Sequence, residues 1–160
     1  MHNVLAASNH VEPEEVGRRN KTKQICCSRL HARFQHVHRQ QAVGAKPFFC
    51  FEHPASAHSW KRAAVQEIMN HPDVTCTSFD QCRTGLTCPE TGRPIKKRTT
   101  LMSNAPGVPL QFRPLQCHCS VPHVRIQGSS CGVRLSTYCQ IYTPELCDHL
   151  AAACERTLHS

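Results

Sequence analysis

The clearest pattern of apolar and polar positions in this chain lies between residues 48 and 99. It opens with an apolar run, Phe48-Phe49-Cys50-Phe51, that stops at Glu52-His53-Pro54. Residues 60–69 then place Trp60, Ala64, Val65, Ile68 and Met69 on one helical face, a spacing suited to packing on a sheet, with Ser59 as the expected N-cap. Asn70-His71-Pro72-Asp73 ends that helix, because Pro72 disfavours helical backbone in the residue before it. A second β-rich run, residues 74–79, stops at Asp80-Gln81-Cys82. Gly85, Pro89, Gly92 and Pro94 make a loop, and a basic, β-branched strand is expected over residues 95–102.

Strand, helix, strand with an acid at the tip of each strand is a βαβ pattern and predicts an α/β fold. Ligands of open α/β sheets sit outside the carboxyl ends of the strands, so Glu52 and Asp80 are expected to share one rim. Downstream, Pro106, Gly107, Pro109 and Pro114 mark an irregular passage, and residues 117–132 form a loop rich in Cys and His. Residues 134–141 are expected as a short strand. A last helix starts with Thr143 as N-cap and Pro144 at its first position, and turns Leu146, Leu150 and Ala153 inward.

Residues 1–46 differ from this. Between Val16 and Phe51 there is no Asp or Glu, while Arg18, Arg19, Lys21, Lys23, Arg29, Arg33 and Arg39 accumulate. Leu30, Phe34 and Val37 could line one side of a basic amphipathic helix, but apolar residues are few, and a disordered basic tail is the expectation. The folded domain is placed at residues 47–156. With a formal net charge of +8, the expected partners are polyanions, nucleic acid foremost, bound without sequence preference and in a salt-sensitive way. Lys96, Lys97 and Arg98 would add to that surface.

Twelve cysteines are the compositional outlier. No apolar leader opens the chain and no apolar run approaches a membrane span, so the expectation is an intracellular protein, in cytoplasm or nucleus, with reduced thiols. Cys50, Cys76 and Cys147, inside apolar runs, are expected to be small buried hydrophobes. Cys117, Cys119 and His123 form the best metal candidate, because thiolate and imidazole are the natural ligands of tetrahedral zinc. Their C-x-C-x₃-H spacing is not a standard knuckle, and no CxxC pair accompanies it; loop residues without a ligand are the competing reading. Cys82 and Cys88 form another unusual gap. Glu52 and Asp80 are candidate catalytic residues, either for general acid/base work or for jointly holding a divalent cation in a metal-dependent nuclease. Glycine-rich phosphate-binding turns and the common hydrolase motifs are absent from the sequence.

The succession Phe51-Glu52-His53-Pro54, Trp60, Val65-Gln66, Phe79-Asp80-Gln81-Cys82, Gly85, Ile95-Lys96-Lys97-Arg98-Thr99, Leu101 and Asn104 resembles a domain of copia-type retrotransposon polyproteins, abundant in dinoflagellate genomes. Cys117, His123, Gly128, Gln140-Ile141-Tyr142-Thr143-Pro144 and Leu146-Cys147 continue the resemblance, which covers residues 47–155. That domain is similar to the second half of cytosine-5 DNA methyltransferase-like Rossmann proteins. The resemblance implies a partial Rossmann-like sheet, βαββ plus a C-terminal helix, with Glu52 where that family's glutamate contacts the target cytosine. His53 replaces an Asn there. The Pro-Cys nucleophile and the glycine turn for S-adenosylmethionine have no counterpart in this sequence. The implied protein is a retroelement-derived, methyltransferase-like remnant without autonomous catalysis and without a cofactor, zinc being the one candidate. The alternative is a basic, zinc-assisted nucleic-acid-binding module. A sheet lacking its first half would leave an edge uncovered, and self-association through that edge is expected.

Overall fold

The computed structural model describes residues 47–159, so Arg18, Arg19, Lys21, Lys23, Arg29 and Arg33 of the basic segment lie outside the described residues. A mixed α/β arrangement is organised by a three-stranded sheet. β1 (Cys50–Pro54) and β2 (Thr75–Asp80) both pair antiparallel with β3 (Arg98–Ser103), in the order β1-β3-β2. β1 and β2, read from the sequence as a βαβ unit, are therefore separated by β3, although they run in the same direction. The two-residue period sets which side chains share a face and carries nothing about strand order, so this insertion was invisible in the sequence.

Register corrects the expected rim. β1 begins at Cys50, because the Phe49 N–H donates to Asn104 Oδ1 at 2.9 Å instead of joining the ladder. Glu52 is consequently mid-strand, opposite Leu101, while Asp80 sits opposite Arg98 at the end of β2. Leu101 and Arg98 are three residues apart on one strand, so Glu52 and Asp80 project from opposite faces of the sheet.

On one face, Phe51 and His53 meet Trp60, with the Phe51 and Trp60 rings edge-to-face at 5.5 Å. Trp60 belongs to a 3-10 turn (His58–Lys61), and its indole N–H donates to Pro54 O at 2.8 Å. That anchor breaks the single helix expected over 60–69. Arg62 is extended at φ −70° and ψ 136°, and only then does α1 (Ala63–Met69) start. Ser59 makes no cap; its hydroxyl is buried without a partner. α1 buries none of its residues.

The opposite face carries the main core. Phe79 and Leu101 pack with Val108, Phe112, Leu146 and Ala153. Val108 and Phe112 come from α2 (Gly107–Phe112), a helix in the passage expected to be irregular. Pro109 is tolerated in its first turn, where backbone N–H groups have no helical partner. Gly107 lets α2 approach α4 (Pro144–Leu158): a Cβ there would lie 2.1 Å from Ala153 O. The Gly107 N–H also donates to Thr157 Oγ1 at 3.1 Å. α4 starts as its sequence predicts, with Thr143 Oγ1 accepting from the Leu146 N–H at 3.2 Å and Pro144 in the first turn.

A second, smaller core holds Leu86, Cys88, Ile95, Leu135 and Cys139. Leu135 lies on α3 (Leu135–Tyr138), which replaces half of the strand expected at 134–141. Only β5 (Val133–Arg134) pairs, with β4 (Ser129–Ser130). Cys50 and Cys76 are exposed, contrary to expectation, whereas Cys88 and Cys139 are buried free thiols; Cys147 is buried too, but as a disulfide and not as the expected reduced thiol. Among the described residues no helix is long and apolar enough to cross a membrane.

Candidate metal centre and the adjoining cleft

The end of β2 builds a cluster of side chains of metal-ligand type. Asp80 is the last residue of β2, and its backbone N–H donates to Leu115 O at 3.0 Å. Its carboxylate Oδ2 accepts from the Cys117 N–H at 2.9 Å and faces the Arg98 guanidinium at 3.3 Å. Arg98 also donates to Gln116 Oε1 at 3.2 Å, and Gln116 in turn donates to Ser78 O at 2.7 Å. The segment carrying Cys117 is thereby pinned along β2, beside the 3-10 turn (Gln81–Thr84) that presents Cys82. The other end of the loop is tied by the Val124 N–H to Pro94 O at 2.9 Å and by Arg93 to Pro122 O at 2.8 Å. His123 lies just before that tie.

The outcome is convergence of four side chains. Donor atoms of Cys82, Cys117, Cys119 and His123 all lie within 4.8 Å of one another, and Cys117 Sγ is 3.3 Å from His123 Nε2. A tetrahedral zinc with three sulfurs and one nitrogen needs ligand-to-ligand edges of about 3.5–3.8 Å, so small side-chain adjustments suffice. The cluster can hold a metal ion. Cys117, Cys119 and His123 were legible from their clustering. Cys82 was not, because it lies 35 residues upstream of Cys117; the available signal was its place two residues beyond the acid ending a strand.

Burial, then hydrogen bonding and charge from Cys117 and Cys119, pushes the Cys82 thiol up to about 12. The Cys117 thiol is held below its ordinary value, chiefly by the Cys119 backbone N–H, with help from the Lys96 ammonium.

No family model, curated protein or solved structure matches the chain.

On the other face of the sheet, Glu52 lines a cleft of about 1110 Å³ with His53, Lys96, Gln140 and Tyr142. The Tyr142 hydroxyl donates to Glu52 Oε2 at 3.0 Å, and Lys97 Nζ lies 3.9 Å from Oε1, which has no hydrogen-bond partner. Burial, and then the Glu52 charge and hydrogen bond, raise the Tyr142 hydroxyl above its usual range. Glu52 and Asp80 are thus not brought together: one lines the cleft, and the other is a 2 % exposed carboxylate that positions the metal loop. A joint acid/base pair or shared cation site is not built here.

The basic run is also divided. Lys97 donates to Cys139 O at 2.9 Å and turns to Glu52, while Arg98 is held by Asp80 and Gln116. Lys96 alone of the three is exposed without an ion-pair partner among the described residues. Further basic side chains adjoin the cluster in the chain, and they were not singled out from the sequence. Arg83 follows Cys82, His118 separates Cys117 from Cys119, and Arg125 is two residues beyond His123; all three are exposed.

Proposed function

We propose that the described part of this chain is a zinc-held binding module for a polyanion, with nucleic acid as the favoured class, and not an autonomous enzyme. The observation that carries this reading is the convergence of Cys82, Cys117, Cys119 and His123. Three thiolates and one neutral imidazole are soft and borderline ligands that favour zinc over magnesium or calcium. They fill all four tetrahedral positions, which makes the site structural rather than catalytic. With zinc the cluster carries a net charge of −1, offset by the exposed cations around it, Arg83, Lys96 and Arg125. Beyond that offset they present a positive rim suited to a phosphate backbone. The zinc-loaded chain should bind single- or double-stranded DNA with an affinity that falls steeply with salt. Substituting Arg83, Lys96 and Arg125 by Glu should lower the slope of log K against log salt by about 1 for each phosphate no longer neutralised, at unchanged zinc content. Salt-independent binding, or no change in the triple variant, would contradict the reading.

A second reading, the methyltransferase-like remnant, is favoured by a different observation. β1 and β2 run in the same direction with α1 between them, as a βαβ unit requires, and β3 is inserted in reverse; doubly wound sheets do carry reversed strands near an edge. Glu52 then lines a cleft, in keeping with a base-contacting role. This reading expects no binding of S-adenosylmethionine, since the chain has no glycine turn for it. Saturable micromolar binding by calorimetry would overturn that expectation.

A further inference from the structure

We propose that β1 is a docking edge for a second copy of this chain, pairing antiparallel with its own equivalent across a two-fold axis at Phe51. The Ala55 N–H donates to Arg98 O at 3.0 Å, which makes that pair, and by alternation His53 with Thr100 and Phe51 with Met102, the hydrogen-bonded rungs to β3. The backbone N–H and C=O groups of Cys50 and Glu52 therefore point away from β3, where no strand meets them among the described residues. Pro54 has no N–H and gives its carbonyl to Trp60, which ends the free edge.

An edge of this kind is self-complementary. With Phe51 on the axis, Cys50 of one copy stands opposite Glu52 of the other, and the two rungs form four backbone hydrogen bonds. Phe51 then faces its own equivalent in the closer, non-hydrogen-bonded rung, and Phe49 faces His53. The apolar surface needed for such a contact is present. Phe48, Phe49, Phe51 and Ile68 are 43 %, 37 %, 39 % and 45 % exposed.

Charge favours a second copy over an unrelated occupant. Exposed His58, Lys61 and Arg62 cluster where β1 ends, because the 3-10 turn is tied to Pro54. Glu67 and Asp73 lie beside Pro47 and Phe49, where β1 begins, in a groove of about 460 Å³. Antiparallel pairing sets the basic end of one copy against the acidic end of the other, twice. Isologous contacts of this form close into a dimer and stop.

Sedimentation velocity on the full-length, zinc-loaded chain under reductant tests the proposal. A reversible dimer is expected, with no larger species. Phe51→Ser should give a monomer that retains its zinc and its circular dichroism. Glu67→Lys should weaken the dimer about tenfold, by reversing two rim pairs worth up to about 1 kcal/mol each. Adding Arg62→Glu to Glu67→Lys should restore it, a rescue that misfolding cannot mimic. A chain that stays monomeric at high concentration, open-ended oligomers, or a dimer indifferent to both Glu67→Lys and Phe51→Ser would overturn the proposal.

Discussion

The two faces of the central sheet differ in how completely they are covered. Behind Phe79 and Leu101, α2 and α4 close a core in which Phe79, Phe112, Leu101 and Leu146 are at most 1 % exposed. In front of Phe51 and His53, α1 buries nothing and three phenylalanines remain partly in water. The metal cluster belongs to neither face; it ties the loop of residues 115–124 to the end of β2 through Asp80. The contrast shows where stability resides. One side of β3 is held by packing, the loop of residues 115–124 by hydrogen bonds to Asp80 and Arg98, and the β1 side by a few aromatic contacts.

Removing the metal should have the largest effect. Structural zinc sites carry binding free energies of about 10 kcal/mol or more, and loading requires deprotonated thiols. Chelation at neutral pH should therefore lower Tm more than any single core substitution, and zinc should be released as pH falls. Thermal melts with and without chelator, followed across pH, check both. Next comes the comparison itself. Phe112→Ala should cost about 3–5 kcal/mol, because it empties the closed core. Phe49→Lys, on the open side, should change the stability of the monomer by no more than about 0.5 kcal/mol while improving solubility. Equal losses for the two in denaturant titrations would break the contrast.

Gly107→Ala should be the next largest, since its new Cβ would strike Ala153 O. Overpacking of this kind costs about 1–3 kcal/mol, visible as a lower denaturant midpoint at unchanged m. Tyr142→Phe should be smaller, about 1–2 kcal/mol, because it leaves Glu52 Oε2 without its donor. It also carries a pH signature. The folded state holds the Tyr142 proton more tightly than the unfolded chain does, so its contribution is complete below about pH 10 and is lost as pH rises above it. Alkaline melts of the Phe variant should lack that component of the fall.

How much of this was legible in the sequence follows from the kind of signal each part gives. α4 was legible because its cap is local: Thr143, Pro144 and Leu146 lie within one turn. Cys117, Cys119 and His123 were legible as a cluster of ligand types. Cys82 was not, since spatial proximity between β2 and the loop depends on the Asp80 bond to Cys117, a contact across 37 residues. The same contact gives Asp80 a local role that the sequence does not display: it ends a strand as an active-site acid would, and turns to a backbone N–H and Arg98. α2 was missed because Gly107 and Pro109 are turn residues by propensity, while its helix is imposed by close packing on α4. Such tertiary overrides leave no local trace.

The central claim is the four-ligand zinc centre, and metal content with X-ray absorption spectroscopy on the purified, reduced chain tests it most directly. The expected result is one zinc per chain, bound by three sulfurs at about 2.3 Å and one nitrogen at about 2.0 Å, with stoichiometric loss in Cys82→Ser. A chain isolated without zinc that fails to take it up, or a Cys82→Ser variant that keeps the full metal complement with unchanged ligation, would contradict it.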